Sequence, residues 1–269
     1  MINKILRKYR AEGVSGVLKA SFHSILRHHG PMIHPVQVAL NELMNQDSFV
    51  VVQIGAFVGN TPNDPLYKTL SRQLQKVNGT LIVVEPVTCF FQELVKSYQN
   101  IPGVFFENVA IADHNGTAKF YRIGVDPSMY GFSSDLCQLG SLKEKHMEAA
   151  FNLLRQTGKE NLSVEEFCLK HKIEETVNCI TFAELMRRHN LSRIDLLQID
   201  AEGYDFEILK MVDFQQCPVR FVNFEHALLE EQRKDAMQLM RKNGYTLVNY
   251  GFDTFCYKKA DKHISKRWR

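Results

Sequence analysis

The sequence predicts an α/β fold: a mostly parallel sheet with helices on both faces and one antiparallel edge strand. Three observations predict it. From residue 50 onward, short apolar runs alternate with amphipathic segments of helical spacing, the pattern of strands joined by right-handed helical crossovers. The first run, "VVQIGAFVGN" at 51–60, drives straight into a glycine, as a strand does when a tight turn brings its backbone close to a ligand. The last two runs, "YTLVNYG" and "DTFCYKK", are separated by little more than a turn and so form an antiparallel pair.

Length and composition agree with that reading. The 269 residues, 45% apolar and 23% charged, suffice for one large core. No run of eighteen apolar residues occurs, which argues against a membrane-spanning helix, and "MINKILRKYRAEG" has no apolar stretch or cleavage site of a signal peptide. Six cysteines, at 89, 137, 168, 179, 217 and 256, form no C-x-x-C pair, so reduced, core-packing thiols in a cytoplasmic protein are expected. Charge is uneven. Residues 1–30 hold six Lys/Arg against Glu12, and residues 258–269 hold six against Asp261. Removing those twelve basic and two acidic residues from the totals of 33 and 30 leaves 21 against 28, an acidic body between basic ends.

The elements follow in order. Residues 1–47 read as a basic amphipathic helical extension: Ile2, Ile5, Leu6 and Tyr9, then Val14, Val17 and Leu18, then Phe22, Ile25 and Leu26 recur at helical spacing. Such a segment either lies on an anionic membrane surface or docks on the domain with its charges solvated. His23, His28, His29 and His34 share no i, i+4 metal face. "SFVVVQIG" (48–55) is a buried strand, and 64–77 is a helix with Pro65 in its first turn. "TLIVVE" (80–85) is the second strand; Phe90, Phe91, Leu94, Val95 and Tyr98 mark a helix; "GVFFENVAI" (103–111) is the third strand and "TAKFYRI" an added hairpin arm.

The rhythm then breaks. Over 126–176, Ser141-x-x-Glu144 and Ser163-x-x-Glu166 have capping-box spacing, so a helical insertion is expected there. Thr181-x-x-Glu184 opens a short helix, "RIDLLQID" (193–200) is a strand, and "YDFEILKMV" (204–212) a helix. "VRFVNFEH" (219–226) is a strand, and 229–243 a helix ended by Gly244. The core domain is thus placed at 48–258 and a basic tail at 259–269.

In such sheets ligands bind at the carboxyl ends of the strands. Those ends are Gly55 to Gly59, Glu85, Asn108 to Asp113, Asp200 to Gly203, and Glu225-His226. Glu85, ending the second strand, is placed to accept the two hydroxyls of a ribose. The glycine turn has neither G-x-G-x-x-G nor Gly-Lys-Ser/Thr, and Asp64 sits by the next helix start. Phosphates favour helix N-termini, where a carboxylate would repel them. A nucleoside without phosphate and with positive charge fits better, and S-adenosylmethionine is such a molecule.

"VVQIGAFVG", "VVEP", "NVAIADHNGTAKFY", "TFAEL", "IDLLQIDAEGYDFEIL", "FEH" and "GYTLV" stand in one order over about 48–258. In this the chain resembles the FkbM-type family of S-adenosylmethionine-dependent methyltransferases, with the D-x-E-G-Y-D-x-E-I-L block its most specific piece. The resemblance implies a Rossmann-like class I methyltransferase fold, with a seven-stranded sheet of order 3-2-1-4-5-7-6. It also implies methyl transfer to a hydroxyl of a sugar, glycan or natural product. With the strand-end rule, the residues expected around the cofactor are Gln53, Gly55, Ala56, Gly59, Asp64, Glu85, Pro86, Asn108, Ala110 and Asp200. The family's first loop commonly reads D/Q-x-G-A-N-x-G; here Phe57 replaces the Asn, and Gln53 brings no charge.

A hydroxyl acceptor needs a base or a metal to take its proton. Asp200 is the first candidate for base or acceptor-positioning residue, with helix capping its alternative; Glu202, Glu225 and His226 are the others. Asp200, Glu202 and Glu225 could hold Mg²⁺ through oxygens, but no paired aspartates signal it and no metal is assigned. The basic residues cluster at the termini, so no nucleic acid partner is expected. A homo-oligomer is left open. Two other classes stay open: a nicotinamide- or nucleotide-using enzyme, and a binding module that has lost the reaction.

Overall fold

The structure, a computed structural model, describes residues 34–61, 64–124, 140–146, 163–258 and 261. The expected helices within 2–29, most of the insertion and most of the basic tail lie outside the described residues. Two compact units are present, residues 34–118 with 176–261 and residues 119–124, 140–146 and 163–175.

The larger unit is built on seven strands: β1 (Phe49–Ile54), β2 (Gly79–Val84), β3 (Val104–Glu107), β8 (Ile194–Ile199), β9 (Val219–Glu225), β10 (Tyr245–Tyr250) and β11 (Asp253–Lys258). Between β3 and β8 the chain adds β4 (Ala110–Ile111), β5 (Gly116–Ile123), β6 (Gly140–Ser141) and β7 (Lys172–Ile180). The large sheet runs β3-β2-β1-β8-β9-β11-β10. Numbered along the whole chain this differs from the expected order, because four strands intervene; counted within the sheet it reads 3-2-1-4-5-7-6. β11 is antiparallel to both neighbours, so the reversed strand lies one place in from the edge rather than at it.

Alternation along each strand divides the core between the two faces. Val52, Ile54, Ile82, Val84, Leu197 and Ile199 pack one way, against the helices Phe182–Arg188 (α5), Asp205–Met211 (α6) and Arg233–Lys242 (α7). Val51, Leu81, Val83, Leu196 and Phe221 face the other way, toward Pro35–Leu43 (α1), Tyr67–Gln73 (α2) and Thr88–Tyr98 (α3). On α1, Val36, Leu40 and Leu43 are fully buried at helical spacing, each worth about 1.5–3 kcal/mol relative to exposure. α1 precedes the domain start expected at residue 48 and packs into this core.

Three further expectations change. The strand expected over 103–111 is broken at Asn108, whose Nδ2 donates to the carbonyls of Glu85 (2.9 Å) and Pro86 (3.1 Å). β3 stays in the large sheet, and β4 pairs with β7 instead. β7 itself was not expected. In the smaller unit the Ser163 capping box forms: Ser163 N donates to Glu166 Oε2 (2.7 Å) and Glu166 N to Ser163 Oγ (3.2 Å), opening the helix Val164–His171 (α4). The Ser141 box does not form. Ser141 is in β6, paired with β5, and its Oγ accepts from Lys143 N. Among the described residues, no helix is long and apolar enough to cross a membrane.

Candidate active site

The carboxyl ends of β1, β2, β8 and β9 and the start of β11 meet at one end of the large sheet. The glycine turn is fixed from both sides there. Gly55 N and Ala56 N both donate to Val84 O at 3.0 Å. Gly55 has φ +78°, and a β-carbon on it would lie 1.7 Å from the carbonyl oxygen of Asp200. No other residue fits between β1 and β8. Gly59 also has positive φ, but its absent side chain would meet Tyr98 and Leu94 of α3. Its place is thus a packing contact with the helix.

Phe57 sits between these glycines at φ 48°, a conformation in which Asn is far better tolerated than bulky residues. That gives a physical reason for the Asn in the family's loop pattern. Here the turn is held otherwise: Phe57 N donates to Glu85 Oε2 (2.9 Å), and its ring meets Phe90 edge-on at 4.6 Å. Glu85 is 5% exposed and its Oε1 accepts from Val87 N (2.8 Å). Two of the roughly four hydrogen bonds a carboxylate can accept are thus the backbone amides of the turn and of Val87. Asn108 ties Pro86 and Glu85 into place, while Ala110 is buried in β4.

Gln53 is 4% exposed, and its Nε2 donates to Asp64 Oδ2 at 2.9 Å. Its Oε1 is buried and has no hydrogen-bond partner. Asp64 is fully engaged at the start of α2, where Oδ1 accepts from Leu66 N (2.6 Å) and Tyr67 N (2.8 Å). Burial nevertheless raises its pKa.

The β8 end gathers acids. Asp200 keeps an exposed surface, yet desolvation by surrounding protein is the main cause that lifts its pKa well above the ordinary range, followed by the charges of Asp205, Asp253 and Asp64. An accessible group so surrounded belongs to a cleft, not to a convex face. Glu202, at φ 47°, and Glu225 are raised well above their ordinary values, first by burial and then by neighbouring carboxylates. Glu225 Oε2 is buried without a partner. Beneath them Asp205, fully buried, accepts from Ala201 N and Gly203 N through Oδ2 and from Glu225 N through Oδ1; burial pushes it up to about 7.

His226 is 5% exposed, its Nδ1 shares a hydrogen bond with Thr254 Oγ1 (2.9 Å), and burial lowers it to about 4. It is a neutral, structurally engaged imidazole at physiological pH. Among the described residues no group of three His, Cys, Asp or Glu side chains is arranged to hold a metal ion. Of the described cysteines, Cys179, Cys217 and Cys256 are buried but Cys89 is exposed, which departs from uniformly core-packing thiols.

A polar row beside the acids was not expected. Gln53, Gln198 and Asn223 are in register on β1, β8 and β9. Asn223 Nδ2 donates to Gln198 Oε1 (3.0 Å) and Asp253 Oδ2 (3.2 Å). The Tyr250 hydroxyl lies 2.8 Å from Asn223 Oδ1 and 3.2 Å from Asp253 Oδ2. Its signal was present: each of the three strands carries one amide near its carboxyl end, in "VVQIG", "LLQID" and "FVNFE".

Sheet order, glycine turn and strand-end acids together define a Rossmann-like nucleoside-cofactor domain. The Methyltransferase FkbM domain matches residues 53–247. The chain belongs to that methyltransferase family. No curated protein matches the chain. Among solved structures, it is similar to a Methanococcus jannaschii fibrillarin pre-rRNA processing protein, at 8% identity and TM-score 0.37, covering 84% of this chain and 68% of that one. A ribosomal protein L11 methylase from Lactobacillus delbrueckii subsp. bulgaricus gives 8% identity and 0.38, with 83% and 77% covered. A TehB-like SAM-dependent methyltransferase from Corynebacterium glutamicum gives 9% and 0.34, with 89% and 94% covered.

Proposed function

We propose that the protein transfers a methyl group from S-adenosylmethionine to a hydroxyl oxygen of a sugar, glycan or natural-product acceptor. The observation that carries the choice of donor is Asp64. Its carboxylate occupies the amides that open α2, where a dinucleotide enzyme would place pyrophosphate. The site also fits the donor's positive charge, because its orphaned buried atoms, Gln53 Oε1 and Glu225 Oε2, are both acceptors.

In this reading Gly55 to Phe57 give the donor its close backbone contact. Glu85 holds the loop through Phe57 N and takes the ribose hydroxyls, and Gln53 Oε1 takes the methionine ammonium. The donor supplies a methyl group already activated by its sulfonium. The chain's own task is to align the acceptor oxygen, exclude water and receive a proton. As the new C–O bond forms, the hydroxyl proton passes to a cleft carboxylate. Asp200 and Glu202 suit that role, since a raised pKa brings a carboxylate nearer the working pH. His226, lowered to about 4, suits it poorly.

Calorimetry with S-adenosylmethionine and NAD(H), followed by transfer of labelled methyl to a panel of hydroxylated sugars, tests the reading. Binding of NAD(H) without S-adenosylmethionine would refute the donor. Donor binding with no transfer to any acceptor would favour a module that has lost the reaction.

A further inference from the structure

The cleft around Asp200 is unusual in the sign of the charges that act on its carboxyls. Asp64, Asp200, Glu202, Asp205, Glu225 and Asp253 come from four separate stretches of chain: the start of α2, the β8 end where it runs into α6, the β9 end and β11. The neighbouring charges acting on Asp200, Glu202 and Glu225 are all carboxylates. The histidine at the same strand end, His226, is buried, held by Thr254 and neutral.

A second, independent observation points to what the acids face. Gln53 is 96% buried, being 4% exposed, and its Oε1 lacks a partner. Its other end holds Asp64, and it stands in register with Gln198 and Asn223, the latter fastened to Asp253. The orphan thus sits in the row of side chains spanning the acids from Asp64 to Asp253. An unmatched acceptor among carboxylates calls for a ligand bringing donors and positive charge.

We propose that this carboxylate-lined cleft reads the charge on the donor's sulfur, holding the cationic sulfonium form tightly and the neutral thioether product weakly. The inference rests on the cleft being the donor site. Its functional consequence is that transfer of the methyl group itself weakens the grip. While the donor is bound, the sulfonium lies in the field of these acids. Once the methyl has left with the acceptor, the sulfur keeps the bonding electron pair and is neutral. The hydroxyl proton has joined a carboxylate, so one negative charge of the cleft is cancelled as well. Product release is then favoured electrostatically, and inhibition by S-adenosylhomocysteine is weak.

Calorimetric titration of the full chain with S-adenosylmethionine, S-adenosylhomocysteine and sinefungin tests this, because sinefungin carries an amine in place of the methyl-bearing sulfonium. The expected result is that both cationic ligands bind about tenfold or more tightly than S-adenosylhomocysteine, because a bound cation favours the ionised form of these crowded carboxyls and is then attracted by it. Neutralising Glu202→Gln and Asp253→Asn together should draw the ratio toward unity by weakening the two cations while affinity for the neutral ligand holds. Equal or tighter binding of S-adenosylhomocysteine by the unmodified protein overturns the inference while leaving the donor assignment intact. A ratio unchanged in the folded double variant does the same. If none of the three ligands binds, the donor assignment falls with it.

Discussion

Replacing Asp253 with Asn should make the ligand-free protein more stable near neutral pH, and the size of the gain can be worked from its surroundings. Burial raises the Asp253 carboxyl from 3.8 to about 6, against the opposing hydrogen bonds from Asn223 and Tyr250. A folded-state pKa above the unfolded one means that the native protein binds the proton more tightly. The stability from this group is therefore complete below the unfolded pKa of 3.8 and is lost as pH rises through about 6. Roughly two pKa units at 1.36 kcal/mol each give about 3 kcal/mol lost once the group is ionised. Partial exposure reduces this, so about 1–3 kcal/mol is a fair range. An amide at 253 does not titrate, and its oxygen can still accept from Asn223 or Tyr250. The variant's advantage should thus be about 2 kcal/mol larger near pH 7.5 than near pH 4.5, or roughly 4–8 °C in melting temperature. Urea and thermal unfolding at both pH values measure it. A variant equally or less stable at pH 7.5, with the same difference at both pH values, would refute the reasoning; the Asn223–Tyr250 hydrogen bonds would then outweigh the charge.

Other expectations follow from the same end of the sheet. Gly55→Ala forces a β-carbon within 1.7 Å of the Asp200 carbonyl at positive φ, so it should destabilise by about 3 kcal/mol or more and abolish donor binding; a soluble variant with native melting and binding would contradict the packing described. Glu202→Gly removes both a left-handed non-glycine conformation and a carboxylate disfavoured by burial. It should raise stability by about 1 kcal/mol or more at neutral pH, read by denaturant titration, while lowering the methyl-transfer rate. Glu85→Ala loses both amide clasps of the loop and should weaken S-adenosylmethionine binding by about tenfold or more, measured calorimetrically; unchanged affinity would mean the ribose lies elsewhere.

Much of the large sheet was legible because its strands are buried on both faces and read as mostly apolar runs, as in "FVVVQI" and "IDLLQI". β7 was not legible for the opposite reason. In "KIEETVNCI" charged and apolar residues mix, burial is partial until the last residues, and no breaker separates it from the preceding capped helix. The split at Asn108 depends on a side-chain amide reaching two carbonyls 22 and 23 residues away, which spacing alone does not reveal. At the site, Gln53, Asp64, Glu85, Asp200 and Glu202 were legible as strand-end or helix-start polar residues, where the fold concentrates chemistry. His226 shared that signal, yet packing turned it onto Thr254. Tyr250 and Asp253 flank a tight turn between edge-side strands, and nothing local distinguishes them from ordinary hairpin residues.

The central claim is that the ends of β1, β2 and β8 cradle S-adenosylmethionine, and a crystal structure of the protein with that ligand tests it most directly. The expected density places the ribose hydroxyls on Glu85, the methionine ammonium on Gln53 Oε1 and the methyl group toward Asp200. A donor bound with Glu85 and Gln53 untouched, or a nucleotide seated elsewhere on the sheet, would contradict the account.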